Sequence, residues 1–200
     1  MHLIKSFLCS GLLFLFVINA KAQDDPMRLG FGVGFGQGYN FFGGEELSVI
    51  TLPIDFADFS VVIRTKNFRF EPTFGYFSSS YKNTSSGITY ESSSSNLRLG
   101  TVLAYATAIA SMNLYYGIDI GVILSSQKSE SSGSSSTDRS KTDIFVGPAI
   151  GGEYMFSENF SLGGEIQINY ISIGNFDDDS DASSSAVSSR GKIMLRCYVN

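Results

Sequence analysis

Eight charged side chains stand inside otherwise apolar stretches of this chain: four bases, Arg69, Arg98, Lys192 and Arg196, and four acids, Glu71, Asp119, Glu153 and Glu165. Their equal number points to mutual neutralisation, because a lone charge in a low-dielectric interior costs far more than one that is paired and hydrogen-bonded. Lining a passage, the same residues would instead gate a narrow ion path. A second cluster, Asp177-Asp178-Asp179-Ser180-Asp181, gathers hard oxygen ligands of the kind calcium takes. It lacks the glycine turn and terminal glutamate of a calcium hand, so a solvated acidic loop is expected, with no metal and no cofactor. The sole histidine is His2. If the leading segment is removed, no imidazole is left to serve a serine or an acid as general base.

The elements that must hold these side chains are strands. From Leu29 to Phe35 every second residue is large and apolar, and Gly30, Gly32 and Gly34 fill the alternate places, with Gly36 next. Successive side chains of a strand point to opposite faces, so this stretch has one greasy face and one bare face. It has no Gly-x-Gly-x-x-Gly spacing and no helical pattern after it, so a dinucleotide cradle is not supported.

Residues 1–22 read as a secretory signal and are set apart from the fold. Lys5 supplies the positive start, 11–18 form the apolar core, and Ala20-Lys21-Ala22 is a small-x-small cleavage pattern that leaves Gln23 first. The core is too short to cross a hydrocarbon layer about 30 Å thick, and Cys9 precedes it where a lipoprotein cysteine would follow. Loss of Lys5 and Lys21 leaves 12 of the 14 basic residues against 19 acidic ones, a net charge of −7 that disfavours nucleic acid. Only Cys197 survives, so no internal disulfide can close the fold.

Residues 23–200 form one domain with eight expected strands, at 27–38, 49–63, 68–79, 97–106, 112–124, 143–155, 160–172 and 190–200. Long polar gaps, the last three serine-rich at 81–96, 125–142 and 173–189, alternate with short connections at 64–67, 107–111 and 156–159. With so few apolar residues the serine tracts are expected to be mobile loops. Uncharged stripes recur on one face of four of the strands: Phe68, Phe70, Pro72, Phe74 and Tyr76; Met112 through Leu124 at every second position; Phe160, Leu162, Ile166, Ile168 and Tyr170; Ile193, Leu195, Cys197 and Val199. The eight charges fall on the opposite faces.

That arrangement inverts a soluble barrel, in which apolar side chains turn inward. In hydrocarbon each unpaired backbone group costs several kcal/mol, so only a ring of strands without edges is viable. The expected fold is therefore all-β, an eight-stranded antiparallel up-and-down transmembrane β-barrel with brief periplasmic turns and long outer loops. Eight strands enclose a space that side chains can fill. Aromatic residues are expected at the two membrane boundaries, Phe68, Tyr105, Tyr154 and Phe160 on the periplasmic side and Phe35, Tyr39, Tyr76 and Tyr170 on the outer side. Pro53, Pro72 and Pro148 each imply a bulge, a strand end or a shifted boundary. The segment 56–63 breaks alternation at Asp58, where a bulge or an overlong strand is expected.

The segment Phe68-Arg69-Phe70-Glu71-Pro72-Thr73-Phe74-Gly75-Tyr76 resembles the Arg-x-x-Glu-Pro-x-x-Gly-Tyr-type segment of small outer-membrane β-barrel proteins from the Bacteroidetes group, and the wider plan is similar to the OmpX and OmpA barrel families. The ending Leu195-Arg196-Cys197-Tyr198-Val199-Asn200 resembles the terminal strand read by the barrel-assembly machinery, without the usual last aromatic. The resemblance implies a bacterial outer-membrane location, with membrane lipid, lipopolysaccharide and the assembly machinery as partners and an extracellular ligand at the loops. Barrel enzymes of that membrane, the lipid A deacylases, palmitoyl transferases and omptin proteases, depend on histidine, so no enzymatic role is expected. A structural or surface-interaction barrel is the primary reading. A narrow porin-like channel and a soluble lipocalin-like binder are the alternatives.

Overall fold

The computed structural model describes residues 27–42, 49–51, 55–85, 88–132, 136–174 and 184–199. The expected signal segment, Pro53 and Asp177 to Asp181 lie outside the described residues. Among the described residues there are nine strand segments: β1 (Arg28–Phe42), β2 (Val49–Thr51), β3 (Asp55–Arg64), β4 (Phe68–Ser85), β5 (Ile88–Ile109), β6 (Met112–Ser131), β7 (Thr137–Met155), β8 (Phe160–Ile173) and β9 (Ser184–Val199). Both β2 and β3 pair antiparallel with β1, one beyond the other, so the nine segments make eight staves. Each stave pairs antiparallel with the next, and β9 pairs with β1 to close the ring.

The alternation expected from sequence decides which way each side chain points. Phe31, Phe35, Phe59, Tyr116, Ile166 and Ile193 face away from the barrel, whereas the intervening positions are buried. Charge inside and hydrocarbon outside excludes the lipocalin-like alternative. The interior holds one apolar cluster, Val102, Ala104, Ala106, Tyr115 and Ala149, and a few separate apolar side chains such as Val62, Phe145 and Met194 among many buried polar and charged groups.

Three tight turns close one end. At the first, the Thr65 amide donates to the Phe68 carbonyl (2.9 Å), and at the third the Ser157 hydroxyl accepts from the amides of Asn159 and Phe160 (3.3 and 3.1 Å). The middle turn, Ala110-Ser111, holds Ala110 at φ 52°, in the left-handed region. A non-glycine residue there costs about 1–3 kcal/mol, and glycine adds only about 0.4–1 kcal/mol of unfolded-chain entropy. Ala110→Gly is therefore expected to raise stability by about 1 kcal/mol, read as a shift of the urea midpoint of the barrel refolded in lipid vesicles; a midpoint that falls would contradict the strain.

Aromatic rings collect at this end. Phe68 pairs with Tyr105, the rings of Tyr105 and Tyr116 lie 5.7 Å apart, and Phe156 stacks on Phe160 at 6.2 Å. Phe35, Tyr76 and Tyr170 face outward toward the other end. The side chain of Tyr39 is outside the described set.

Two of the serine tracts depart from expectation. Rather than looping out, β4 and β5 stay paired up to Ser85 and Ile88, β5 and β6 up to Tyr90 and Ser131, and β6 and β7 up to Ser129 and Thr137. The entropy argument omitted the backbone. A strand flanked by paired neighbours satisfies its amides and carbonyls whatever its side chains are, and serine fits a two-sided polar sheet.

The irregular second stave also resolves. Phe35 pairs with Ala57 but Gly36 with Asp55, so the extra residue is Phe56 and not Asp58. From Ala57 onward alternation is clean, with Asp58 and Val62 inside. The prolines act differently from expectation. The β3–β4 ladder omits the Val61–Pro72 and Val62–Glu71 pairs, and the β7–β8 ladder omits Gly147–Asn169 and Pro148–Ile168, yet each ladder resumes in unchanged register. Each proline removes a donor on one side of its strand without inserting a residue.

Candidate functional site

The lumen is filled by three linked layers of charge. Nearest the tight turns, Arg69 donates through Nε and Nη2 to Glu71 (2.9 and 2.8 Å) and through Nη1 to Glu153 (3.2 Å). Arg196 bridges the same two acids, at 2.8 Å to Glu71 and 3.3 Å to Glu153. The Tyr198 hydroxyl (2.7 Å) and the Ser161 hydroxyl (3.1 Å) also donate to Glu153. The Arg69 guanidinium lies 4.2 Å from the centre of the Tyr115 ring, a desolvated cation–π contact.

In the middle layer Glu165 accepts from Lys192 (2.7 Å), from the Tyr115 hydroxyl (2.7 Å) and from the Gln167 amide (2.6 Å). Arg98 donates to Asp119 at 2.6 Å and to Gln167 at 3.3 Å, and Asn169 donates to Asp119 at 3.1 Å. The eight charges singled out from sequence are thus brought together, each within reach of an opposite charge. All of them are buried.

The outer layer contains pairs that sequence reasoning missed. Arg190 makes a two-pronged contact with Asp58 at 2.8 and 3.0 Å, and Lys141 meets Asp143 at 3.0 Å. Arg190 is on β9 and Asp58 on β3, with β1 between them. They meet because β1 is bare on its inner face. A Cβ on Gly36 would lie 3.5 Å from Nε of Arg190, and one on Gly34 3.7 Å from Cβ of Asp58. Deeper in, one on Gly30 would strike the Tyr198 ring at 2.8 Å. The glycine row is a trough across which long side chains of β9 reach β3. A signal for this was present in the sequence, since Asp58 was the one charge in its segment without an assigned partner.

The arrangement can hold opposite charges in a fixed geometry. Among the described residues, no group of His, Cys, Asp or Glu is placed to hold a metal ion.

A closed antiparallel ring with apolar residues outward and paired charges inward defines a class, the transmembrane β-barrels of the bacterial outer membrane. This chain belongs to the outer membrane protein beta-barrel domain family, which matches residues 10–189. It is similar to the crystal structure of Neisserial surface protein A (NspA), with 15% identity, 84% of this chain and 96% of that one covered, and a TM-score of 0.51. It is also similar to Ail, the attachment invasion locus protein of Yersinia pestis, at 17% identity, 86% and 97% coverage and a TM-score of 0.49. At 15% identity the likeness to NspA speaks to fold alone. No curated protein matches the chain.

Proposed function

We propose that this barrel is a non-conducting scaffold that presents a polar sheet outside the cell for contact with another surface. The observation that carries this reading is the height of β4 to β7. Among the described residues, the β3–β4 ladder ends at Ala57–Tyr76 and the β7–β8 ladder at Ile144–Ser172, while β4 and β7 run on in continuous ladders with β5 and β6 between them. The result is a four-stranded sheet standing above the ring. Its exposed residues include Tyr81 and Tyr90, and Lys82 with Glu91 and Lys128 with Glu130 form ion pairs on it. Tyrosine over a polar ground suits recognition at low entropic cost. The apolar belt below contacts membrane lipid and lipopolysaccharide, and β9 carries the signal for the assembly machinery. No catalytic step is proposed.

The channel alternative meets the side chains of all three layers across the lumen. Planar-bilayer recording tests it: the wild-type barrel is expected to be silent. Steady current steps that change in Arg98→Ala or Glu165→Ala would overturn the closed reading.

A further inference from the structure

Charges in the middle and outer layers balance, but those at the periplasmic end do not. Three arginines stand abreast on one rung there, Arg28 opposite Arg64 and Arg64 opposite Arg69. Like charges directly opposite each other destabilise a sheet. Together with Arg196 they make four guanidiniums around two carboxylates, Glu71 and Glu153. Glu153 is already committed to Arg69, Arg196, Tyr198 and Ser161, and Arg64 reaches it only at 3.7 Å. No described carboxylate forms an ion pair with Arg28. The excess of two positive charges borders a cavity of about 460 Å³ at the mouth, lined by Arg28, Arg64, Lys66 and Asn113, with Glu158 also on its wall.

We propose that Arg28 and Arg64 form an oxyanion site at the periplasmic mouth that takes a phosphate group. Guanidiniums present forked donors matched to phosphate oxygens, and a partly buried setting weakens competition from water. A bound dianion would cancel the local excess, and would turn the repulsion across the Arg28–Arg64 rung into a bridge.

Calorimetric titration of the refolded full-length barrel in a neutral detergent with inorganic phosphate is the test, with heat-modifiable gel migration confirming that each variant is folded. Saturable binding is expected, weakened at least tenfold in Arg28→Gln and lost in Arg28→Gln/Arg64→Gln. A second arm distinguishes the source of the phosphate. Enrichment of phosphatidylglycerol around the wild type over Arg28→Gln, in mixed phosphatidylglycerol–phosphatidylcholine vesicles, assigns a headgroup; binding of free phosphate without that enrichment assigns a soluble anion. No binding in either arm, or binding unchanged in the double variant, overturns the site. So does phosphate binding that appears only in Asp24→Asn/Asp25→Asn, since it would make those acids, which precede Arg28 in the sequence, the native neutralisers.

Discussion

Replacing Glu153 with leucine is expected to lower the unfolding free energy by about 3–5 kcal/mol, the cost of removing one partner from a buried ion cluster. Glu153 is the hub of the periplasmic layer. Without it Arg69 and Arg196 share Glu71 alone, and the hydroxyls of Tyr198 and Ser161 lose their acceptor. Urea titration of the barrel refolded in lipid vesicles gives the value; a loss under about 1 kcal/mol would show that the arginines do not depend on this carboxylate. Removing both members of a pair should cost less, because no charge is stranded. Asp58→Leu/Arg190→Met is accordingly expected to be more stable than Asp58→Leu alone, measured in the same titration.

Gly147→Ala is expected to cost about 2–3 kcal/mol or to prevent refolding, through overpacking that the wall cannot absorb. An added Cβ would overlap the Ile168 carbonyl oxygen and lie 2.7 Å from the Asn169 Cα, both backbone atoms of β8. Neither atom can move without displacing the strand. Gly191→Ala is the control: no heavy atom lies within 4 Å of a Cβ there. It should refold with an unchanged midpoint, and equal losses in the two variants would refute steric origin.

What sequence reveals about this molecule follows from which forces act locally. Alternation is legible because a strand has a period of two and its outer solvent is hydrocarbon, which rejects charge; this placed Arg69, Glu71, Arg98, Asp119, Glu153, Glu165, Lys192 and Arg196 on inner faces. The serine tracts were opaque for a related reason. Their pairing is carried by amides and carbonyls, which every residue shares, so side-chain polarity said nothing about it. The bulge in 56–63 was legible as broken alternation but its exact place was not: the extra residue is Phe56, and beyond it Asp58 falls in phase on the inner face. The Asp58–Arg190 pair was hidden more deeply, since it depends on ring closure and on a bare strand lying between its two members.

Closure has a consequence for how the chain is made. The pairs joining β1 to β9 run from Leu29–Val199 to Phe42–Ala186, nearly the whole length of the chain apart. Every earlier strand can find its neighbour as it emerges, but β1 must wait with one flank unzipped until β9 arrives. Such distant pairing is slow, because the loop entropy is lost before the contact rewards it. The last hairpin therefore acts as the clasp of a bracelet, and a defect in β9 would leave two raw margins in the bilayer however sound the other staves are.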